Sequence, residues 1–536
     1  MNTPAQPRST EASASDPRHV VLVGCEDKEN LGLRYIAAYL ESNRVSTAIE
    51  PFDPTDHEGL VRRIRSSSPL VVGFSIIFQR MLPDFARAVD RLRDDGVESH
   101  LTCGGHFPTL EPEETLASIP GLDSVVRHEG EMTMLELVRN LQNGGKLEDI
   151  DGIAYRRSDG VRINTPRALI EDLDLLPFPL RDKPRLAVNG HGVSSIIASR
   201  GCVFDCSFCS VQNFYREAPG PARRSRSPAN VVDEMQWMAD ELGVRVFIFK
   251  DDDISTRGPK HGAWIEAFAA ELEQRCLANR VLFRISCRVD EVVGDRLKRL
   301  QDVGLTAVYL GIESGNENGL RHFNKRYGLA DIIRAADTLD ELGLAYEYGF
   351  MMFEPWSTLA TISGDLALLE DLGNRGSSVV DFTKTMPYAG TAIARRLEDE
   401  GRLEGTVAAP DYGYLDKRVM HLQRFASNTF HERNFEANGL VNRLRMAKFE
   451  AAIAGSLGGY DPTAANTSDH VADLIRRNNA DAIEAMRLAT RLLDDCESDL
   501  EPRHWQVLQL FASQYKTAEA PIKAELERLE TLHTAH

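Results

Sequence analysis

Three thiols stand close together in the segment RGCVFDCSFCSV, at Cys202, Cys206 and Cys209. Because three is odd, one disulfide cannot use them all. A structural zinc site usually needs a fourth Cys or His in a closed tetrahedron; no second paired motif follows, although His191 is close in sequence. Thiolates on a glycine-containing loop suit an iron–sulfur cluster in which one iron stays open, and an open metal position is typical of a catalytic site.

The elements before the cysteines predict a doubly wound α/β domain at residues 19–142. Buried apolar runs alternate with helical patterns, as in parallel sheets with crossover helices. The predicted strands are 20–24, 70–75, 100–105 and 124–126, and the predicted helices run through 33–40, 83–93 and 132–141.

The rest of the chain divides into a connector, a barrel and a helical region. Residues 143–190 are rich in turns and include a predicted hairpin, DGIAYRRSDGVRI. In residues 191–395, alternating strand and helix patterns predict a partial (β/α)6 TIM barrel whose working surface lies at the carboxyl ends of its strands. Its predicted strands are 194–198, 244–249, 281–286, 307–310, 346–352 and 379–383. The sequence pattern predicts a mostly helical domain at residues 396–536, and the composition of residues 1–18 predicts a disordered tail.

The CxxxCxxC motif after the first barrel strand resembles the radical S-adenosylmethionine (SAM) superfamily. The resemblance implies that Cys202, Cys206 and Cys209 bind a [4Fe–4S] cluster whose open iron is chelated by SAM. One electron from the cluster then breaks the sulfonium and gives a 5′-deoxyadenosyl radical. Phe208 stands at a position that is usually aromatic and packed near the adenine. Polar strand-end residues resemble those that hold SAM in this family: Asp251, Asp252, Arg288, Glu313 and Ser314.

The N-terminal domain lacks the GxGxxG of dinucleotide-binding sheets. It resembles cobalamin-binding domains, whose DxHxxG, SxL and GG motifs match residues 27–32, 75–77 and 104–105. The cofactor-binding residues that this resemblance implies are Glu29, Gly32, Ser75, Ile77, Gly104, Gly105, Glu129 and Gly130.

Glu29 stands where the best-known motif of the cobalamin-binding family has the histidine that ligates cobalt. A carboxylate is a harder ligand than imidazole. We therefore expect the lower face of the cobalt to be empty, bound to water or covered by another side chain such as Arg80.

Residues 19–395 resemble, more narrowly, the cobalamin-dependent radical SAM enzymes, of the class B methyltransferase type. The resemblance implies methylation of an unactivated carbon, or a phosphinate, of a small-molecule or natural-product substrate by means of the adenosyl radical and methylcobalamin. Tyr348 and Lys384 are the candidate catalytic residues at late strand ends, with Glu354, Trp356 and Tyr388 as further substrate-facing candidates. Each of these side chains could equally pack at the barrel rim.

Two other functional classes stay open at this point. A cobalamin-dependent radical cyclase, ring-rearranging or oxidative enzyme would use the same cofactors without leaving a methyl group in its product. A non-catalytic cobalamin sensor is disfavoured by the intact cysteine set. Methylthiolation is disfavoured because that subgroup has three further N-terminal cysteines, whereas only Cys25 and Cys103 precede Cys202 here.

Composition restricts the partners and the compartment. A formal net charge of −19 over 536 residues argues against nucleic acid, because phosphate binding needs clustered Lys and Arg. No window is apolar enough to span a bilayer, and the N-terminus lacks the apolar core of a secretory signal. Isolated cysteines favour a reducing compartment, so we expect a cytoplasmic enzyme. The family resemblance adds an electron donor of the flavodoxin or ferredoxin type.

Overall fold

The computed structural model describes residues 20–27, 29–254, 256–457, 462–496 and 500–534. The predicted tail at residues 1–18 lies outside the described residues. The chain divides into two compact units. Unit 1 comprises Met1–Pro184, Ser194–Glu234 and Pro387–Asp411, and unit 2 comprises Arg185–Val193, Met235–Met386 and Tyr412–His536.

Unit 1 is built on a seven-stranded sheet with the order β2-β1-β3-β4-β5-β6-β7. The first five strands are parallel, in the flavodoxin-like order, so the predicted doubly wound domain is confirmed. The strands are β1 (Val20–Gly24), β2 (Thr47–Pro51), β3 (Val71–Ser75), β4 (His100–Gly104), β5 (Ser124–Val126), β6 (Ile153–Arg157) and β7 (Gly160–Ile163). The helices are α1 (Leu31–Ser42), α2 (His57–Ser67), α3 (Leu82–Asp94), α4 (His106–Leu110), α5 (Pro112–Ser118) and α6 (Gly130–Gln142).

The predicted hairpin is part of this sheet, whereas the sequence pattern assigned it to a connector. β6 pairs with β5 in antiparallel orientation, and β7 pairs with β6. Ile153, Ala154 and Tyr155 are buried, so the hairpin adds its own apolar surface to the core of the sheet. Edge strand β2 was not predicted because its sequence, TAIEP, is short and ends in proline.

The remaining strands and helices follow in chain order. The strands are β8 (Leu186–Val188), β9 (His191–Ile196), β10 (Ser199–Arg200), β11 (Arg224–Ser225), β12 (Val244–Phe249), β13 (Leu282–Arg288), β14 (Leu305–Glu313), β15 (Ala345–Phe350), β16 (Leu403–Gly405) and β17 (Pro410–Tyr412). The helices are α7 (Val211–Arg216), α8 (Pro228–Glu241), α9 (Pro259–Gln274), α10 (Gly294–Gln301), α11 (Glu317–His322), α12 (Leu329–Glu341), α13 (Leu359–Asn374), α14 (Ala392–Asp399), α15 (Lys417–Phe435), α16 (Leu440–Leu457), α17 (Pro462–Asp494) and α18 (Pro502–Thr534).

The barrel sheet has the strand order β15-β14-β13-β12-β9-β8. Strands β12 to β15 are parallel and alternate with helices, which confirms the predicted partial barrel. The predicted strand at 379–383 is wrong, because those residues form no strand, and the isolated bridge at Phe353 involves Lys384, just beyond the segment. The backbone N–H of Val380 donates instead to Asn479 Oδ1 at 3.0 Å, so this amide is not available to a neighbouring strand.

The C-terminal helices complete unit 2, and the predicted helical region is confirmed. Phe449 and Ile453 of α16 pack against Val188, Val246 and Leu282, so α16 lies on one face of the barrel sheet. No helix in the described part of the chain is long and apolar enough to cross a membrane.

Candidate functional site

The cysteine loop lies in unit 1, between β10 and α7. Cys202, Cys206 and Cys209 are each partly exposed, and no disulfide joins them. The backbone N–H of Cys209 donates to the carbonyl of Cys206 at 3.1 Å, which closes a turn between these two residues. Gly201 has φ +82°, and a Cβ there would lie 1.8 Å from the carbonyl oxygen of Ala222, so the approach to the loop requires glycine.

The donor set of this loop fits an iron–sulfur cluster. Among the described residues, no group of three or more His, Cys, Asp or Glu side chains is arranged to hold one metal ion. In a cubane each cysteine binds a different iron, so three thiols on one loop need not converge.

An ion-pair cluster fixes the strand that leads into the cysteine loop. Arg200 donates to Glu129 at 2.9 Å and to Glu131 at 2.6 Å, and Arg224 donates to Glu129 at 2.8 Å. Burial alone raises the pKa of Glu129, but Arg200 and Arg224 hold it below its usual value. Arg200 also stacks on Tyr35, with its Cζ 5.0 Å from the ring centre. The carboxylate of Glu129, predicted to bind a cofactor, is therefore used to hold these arginines.

The carboxyl edge of the unit 1 sheet brings together the motifs that resemble a cobalamin site. Ser75 ends β3 and accepts a hydrogen bond from Asn30 Nδ2 at 3.1 Å. Gly104 ends β4, and Gly105 has φ +124°, where a Cβ would lie 2.3 Å from the carbonyl oxygen of Ile76. Gly32 and Gly130 lie in the first turns of α1 and α6.

Exposed apolar side chains stand beside these motifs and fit a corrin. Ile77 is 36% exposed and Phe78 is 40% exposed. The Phe78 ring lies 5.6 Å from that of Tyr388, and the Arg80 guanidinium lies 5.8 Å from the Phe78 ring centre. These side chains therefore form an exposed apolar surface beside Ser75 at the carboxyl edge of the sheet.

Glu29 is held by the protein itself. Its carboxylate accepts hydrogen bonds from the Ser194 hydroxyl at 2.8 Å and from the Ser195 backbone N–H at 2.6 Å. Arg181 Nη1 lies 3.5 Å away, and Glu29 has φ +52°. The residue in the place of the family histidine thus anchors strand β9, which sequence reasoning missed because the partners lie over 160 residues away.

In unit 2, acidic side chains contact Arg288 beside the carboxyl ends of β12 and β13. Asp253 Oδ1 accepts from the backbone N–H of Arg288 at 3.3 Å, and the Arg288 guanidinium pairs with Asp290 at 2.9 Å. Asp251 and Asp253 are buried, whereas Asp252 is exposed. These strand ends are polar although they lie in the interior, as expected of a ligand-binding barrel face.

Glu313 at the end of β14 rests above two glycines. Lys325 is buried and its ammonium donates to Glu313 Oε1 at 3.1 Å. A Cβ on Gly349 would lie 2.7 Å from Tyr309 Oη and 3.1 Å from Glu313 Oε2. A Cβ on Gly311 would lie 3.0 Å from Glu313 Oε1. The glycines therefore make the room that Glu313 fills, and Lys325 is a further site residue that the sequence analysis did not find.

Asp365 on α13 holds the loop that follows Glu313. Its Oδ1 accepts from the Ser314 hydroxyl at 3.1 Å, the Gly315 N–H at 2.6 Å and the Asn316 amide at 3.0 Å. Burial raises the pKa of Asp365 to about 7, although these hydrogen bonds oppose the shift. No local sequence signal indicated this residue, because Ser314 lies 51 positions away.

We expect Asp365→Asn to flatten the pH dependence of stability. Because the folded-state pKa is raised above the ordinary value of 3.8, the carboxyl group favours folding most at low pH, and that contribution falls as pH rises through about 7. Asparagine keeps an oxygen acceptor but does not titrate. Between pH 5 and pH 8 the melting temperature should fall less in the variant than in the wild type. An equal fall in both proteins would contradict the assignment.

Of the late strand-end candidates, Glu354 and Trp356 are in contact with each other, and Tyr348 and Lys384 each lie against other side chains. Tyr348 is buried on the face of β15 opposite to Gly349, so it lies on the other side of the sheet from Glu313. The Lys384 ammonium lies 4.3 Å from the Tyr412 ring centre. Glu354 is buried and accepts from the backbone N–H of Trp356 at 2.9 Å.

Two family models match the chain: the B12 binding domain over residues 18–138 and the Radical SAM superfamily over residues 196–358. The chain therefore combines a B12 binding domain with a Radical SAM domain. The expected cofactors, a [4Fe–4S] cluster, SAM and cobalamin, are thereby confirmed at the level of the two domain families.

Curated relatives of this radical SAM enzyme have more than one activity. It is 26% identical to an uncharacterized methyltransferase of Pyrococcus horikoshii, over 68% of this chain and 77% of the relative. It is 29% identical to an anaerobic magnesium-protoporphyrin IX monomethyl ester cyclase of Rubrivivax gelatinosus, over 63% of this chain and 61% of the relative. A hopanoid C-3 methylase of Methylococcus capsulatus is 25% identical over 68% of this chain and 67% of the relative. The match thus spans less than two thirds of the cyclase's own length.

Solved structures confirm the fold. The cobalamin-dependent SAM radical enzyme OxsB with aqua-cobalamin bound superimposes with a TM-score of 0.70 at 16% identity, covering 97% of this chain and 81% of that chain. The radical SAM methyltransferase TsrM from Kitasatospora setae gives a TM-score of 0.64 at 15% identity, covering 87% of this chain and 100% of that chain.

Proposed function

We propose that this enzyme transfers a methyl group from SAM to an unactivated carbon, or a phosphinate, of a small-molecule substrate. The observation that carries the proposal is a three-cysteine loop in the same chain as a B12 binding domain. When bound, the cluster supplies the electron that cleaves SAM, and cobalamin relays the methyl group. The protein supplies binding and orientation.

Residues of unit 2 are proposed to hold SAM. Arg288, neutralised by Asp290, and Glu313, neutralised by Lys325, present hydrogen-bonding groups without a large net charge. Ser314 is held by Asp365 and completes this edge. The full proposed set for SAM is Asp251, Asp252, Arg288, Glu313 and Ser314, with Phe208 beside the adenine; Tyr348 and Lys384 stay predictions as substrate residues.

Residues of unit 1 are proposed to hold the cluster and cobalamin. Cys202, Cys206 and Cys209 supply three thiolates. The apolar surface of Ile77 suits a corrin ring. The other proposed cobalamin residues are Glu29, Gly32, Ser75, Gly104, Gly105, Glu129 and Gly130, of which Glu29 and Glu129 act by positioning neighbouring strands.

We predict that Glu29 does not ligate cobalt, because its two oxygens are already bonded to β9. The EPR spectrum of the Co(II) form should lack nitrogen superhyperfine splitting, and Glu29→Gln should leave its cobalt hyperfine pattern unchanged. Nitrogen splitting in the wild-type spectrum would contradict the expectation that the lower face of the cobalt has no nitrogen ligand. A changed cobalt hyperfine pattern in a Glu29→Gln variant that keeps its melting temperature would contradict the prediction for Glu29.

The methyltransferase is distinguished from its rivals by its products. Anaerobically reconstituted enzyme, incubated with candidate substrates and SAM carrying a deuterated methyl group, should give both S-adenosylhomocysteine and 5′-deoxyadenosine, and the label should enter the product. A radical cyclase is the second candidate, favoured by the 29% identity to an ester cyclase. It would give 5′-deoxyadenosine without S-adenosylhomocysteine. Production of neither compound would support a cobalamin sensor and defeat the proposal.

We infer further that a flavodoxin- or ferredoxin-type protein supplies the electron and that the enzyme works in the cytoplasm. Radical cleavage of SAM consumes one electron, and a cluster with an open iron needs a reducing compartment. Eight cysteines without a disulfide among the described residues are consistent with such a compartment.

A further inference from the structure

A cavity of about 410 Å³ lies in unit 2 at the amino-terminal ends of the parallel strands. Leu282, Leu305 and Ala345, the first residues of β13, β14 and β15, line it together with Lys448 of α16. It therefore lies at the end of the sheet opposite to Arg288 and is separate from the proposed SAM residues. Its volume falls within the range of roughly 300–1,000 Å³ that is usual for small-molecule sites.

Lys448 lines this cavity, and Arg476 of α17 lies near enough to lower its pKa. Among the described residues, neither Lys448 nor Arg476 of α17 has a hydrogen-bond or ion-pair partner. Burial and the charge of Arg476 lower the pKa of Lys448, while Asp469 and Asp340 raise it. Asp340 forms its ion pair with Arg375, whose Nη1 lies 2.8 Å from the Asp340 carboxylate. Adjacent like charges without a partner are unfavourable, and an anion between them removes that cost.

The position of Arg476 is set by a glycine turn at the cavity wall. A Cβ on Gly376, which has φ +73°, would lie 2.8 Å from Arg476 Nη1. The next residue, Ser377, lines the cavity. The absence of a side chain at position 376 thus admits the guanidinium beside Ser377, which offers a hydroxyl donor.

Several other polar groups of the cavity are already engaged, including Asp340, which also lines it and pairs with Arg375. Gln301 Nε2 donates to the carbonyl of Leu342 at 2.7 Å, and Asn279 Nδ2 donates to the carbonyl of Asp302 at 3.0 Å. The donors that stay available to a ligand are therefore mainly cationic. In a chain with a formal net charge of −19, two neighbouring cations that form no ion pair of their own favour an anion from outside the chain as their counter-ion.

We propose that this cavity binds the oxyanion group of a small molecule, a phosphate or a carboxylate, between Lys448 and Arg476. Such a ligand joins α16, α17 and the segment at Ser377 to the amino-terminal end of the barrel sheet. Because the three parts meet only in the folded chain, binding stabilises unit 2 in proportion to the logarithm of ligand concentration over Kd. The proposal does not depend on the reaction proposed above.

The test uses the full-length enzyme and measures its melting temperature against phosphate, and separately against citrate, with chloride at matched ionic strength as reference. We expect the oxyanions to raise the melting temperature of the wild type and of Lys516→Gln, which removes an exposed lysine of α18. Lys448→Gln and Arg476→Gln should need at least about tenfold more anion for the same rise, because a charge-assisted hydrogen bond is lost.

The outcomes separate the ligand classes and include a clear failure. A response to phosphate alone indicates a phosphate group, and a response to citrate alone indicates a carboxylate; either supports the site. Lys448→Arg keeps the charge, so its melting temperature should still rise with added oxyanion. This variant keeps the test valid if Lys448→Gln does not fold. No response in the wild type, or an equal response in all variants, overturns the proposal. SAM cleavage is followed in parallel, because its loss concerns the proposed function and not this site.

Discussion

Replacing Cys206 with alanine is expected to remove the iron–sulfur cluster and to abolish SAM cleavage. In the proposed site each of Cys202, Cys206 and Cys209 supplies one of only three protein ligands, so no spare thiol can take its place. Loss of even an outer partner of a metal ligand costs roughly 10–100-fold in metal affinity or activity, and loss of a direct ligand should exceed that range. Iron content and 5′-deoxyadenosine formation measure the effect after anaerobic reconstitution.

A matched cysteine variant controls for the loss of a thiol as such. Cys276 is exposed and isolated in unit 2, so Cys276→Ser should keep the iron content and the SAM cleavage of the wild type. Alanine variants at Cys202 and Cys209 should behave as Cys206→Ala does. Retention of iron and of 5′-deoxyadenosine formation in all three alanine variants would remove the basis of the proposed function.

The largest loss of folding stability is expected for Glu234→Ala. Glu234 is completely buried and accepts from Arg181 at 2.5 Å and from Arg226 at 2.6 Å. Burial alone raises the pKa of Glu234, but the two arginines hold it below its usual value. Without the carboxylate, two buried guanidinium groups lose their shared counter-ion. Breaking a buried pair in this way costs about 3–5 kcal/mol.

Urea unfolding followed by circular dichroism measures this free energy, with a surface pair as the control. Glu50 pairs with Arg63 where both side chains are partly exposed, so Glu50→Ala should cost no more than about 1 kcal/mol. Because the folded-state pKa of Glu234 is depressed, its stabilisation is present above its ordinary pKa of 4.5 and is lost as pH falls through the lower folded value. Equal losses for the two variants would contradict the role assigned to Glu234.

The contacts of Glu234 extend through Arg181 to Glu29, which belongs to the first motif that resembles a cobalamin site. Arg181 lies 3.5 Å from Glu29, which in turn holds Ser194 and Ser195. A series of charges, buried at Glu234 and Arg181 and partly exposed at Glu29, therefore reaches the position of the family histidine and strand β9. This arrangement gives a structural reason for a glutamate at position 29, which the motif alone presented as a departure from the family pattern.

Local pattern was sufficient for much of the fold. Strand β12 is found at Val244–Phe249, as predicted, because its apolar run is continuous and bounded by turn residues. The N-terminal sheet followed from alternating apolar runs and helices, which depend on residues close in sequence. The strand prediction at 379–383 was wrong because the valines of this segment have the same apolar character as those of a true strand. The local pattern does not record that the Val380 amide donates to Asn479, which lies 99 residues away.

The amino-acid sequence by itself determined the three-cysteine loop, the cobalamin motifs and the alternation of strands and helices in the two α/β parts, because spacing and periodicity are local properties of a chain. Only the tertiary structure decided that Lys325 neutralises Glu313, that Asp365 holds Ser314 and that Glu129 holds Arg200. Charges in a protein interior are stabilised by whichever opposite charge the fold brings within hydrogen-bonding distance. That distance is set by packing between elements far apart in sequence, so no local motif records it.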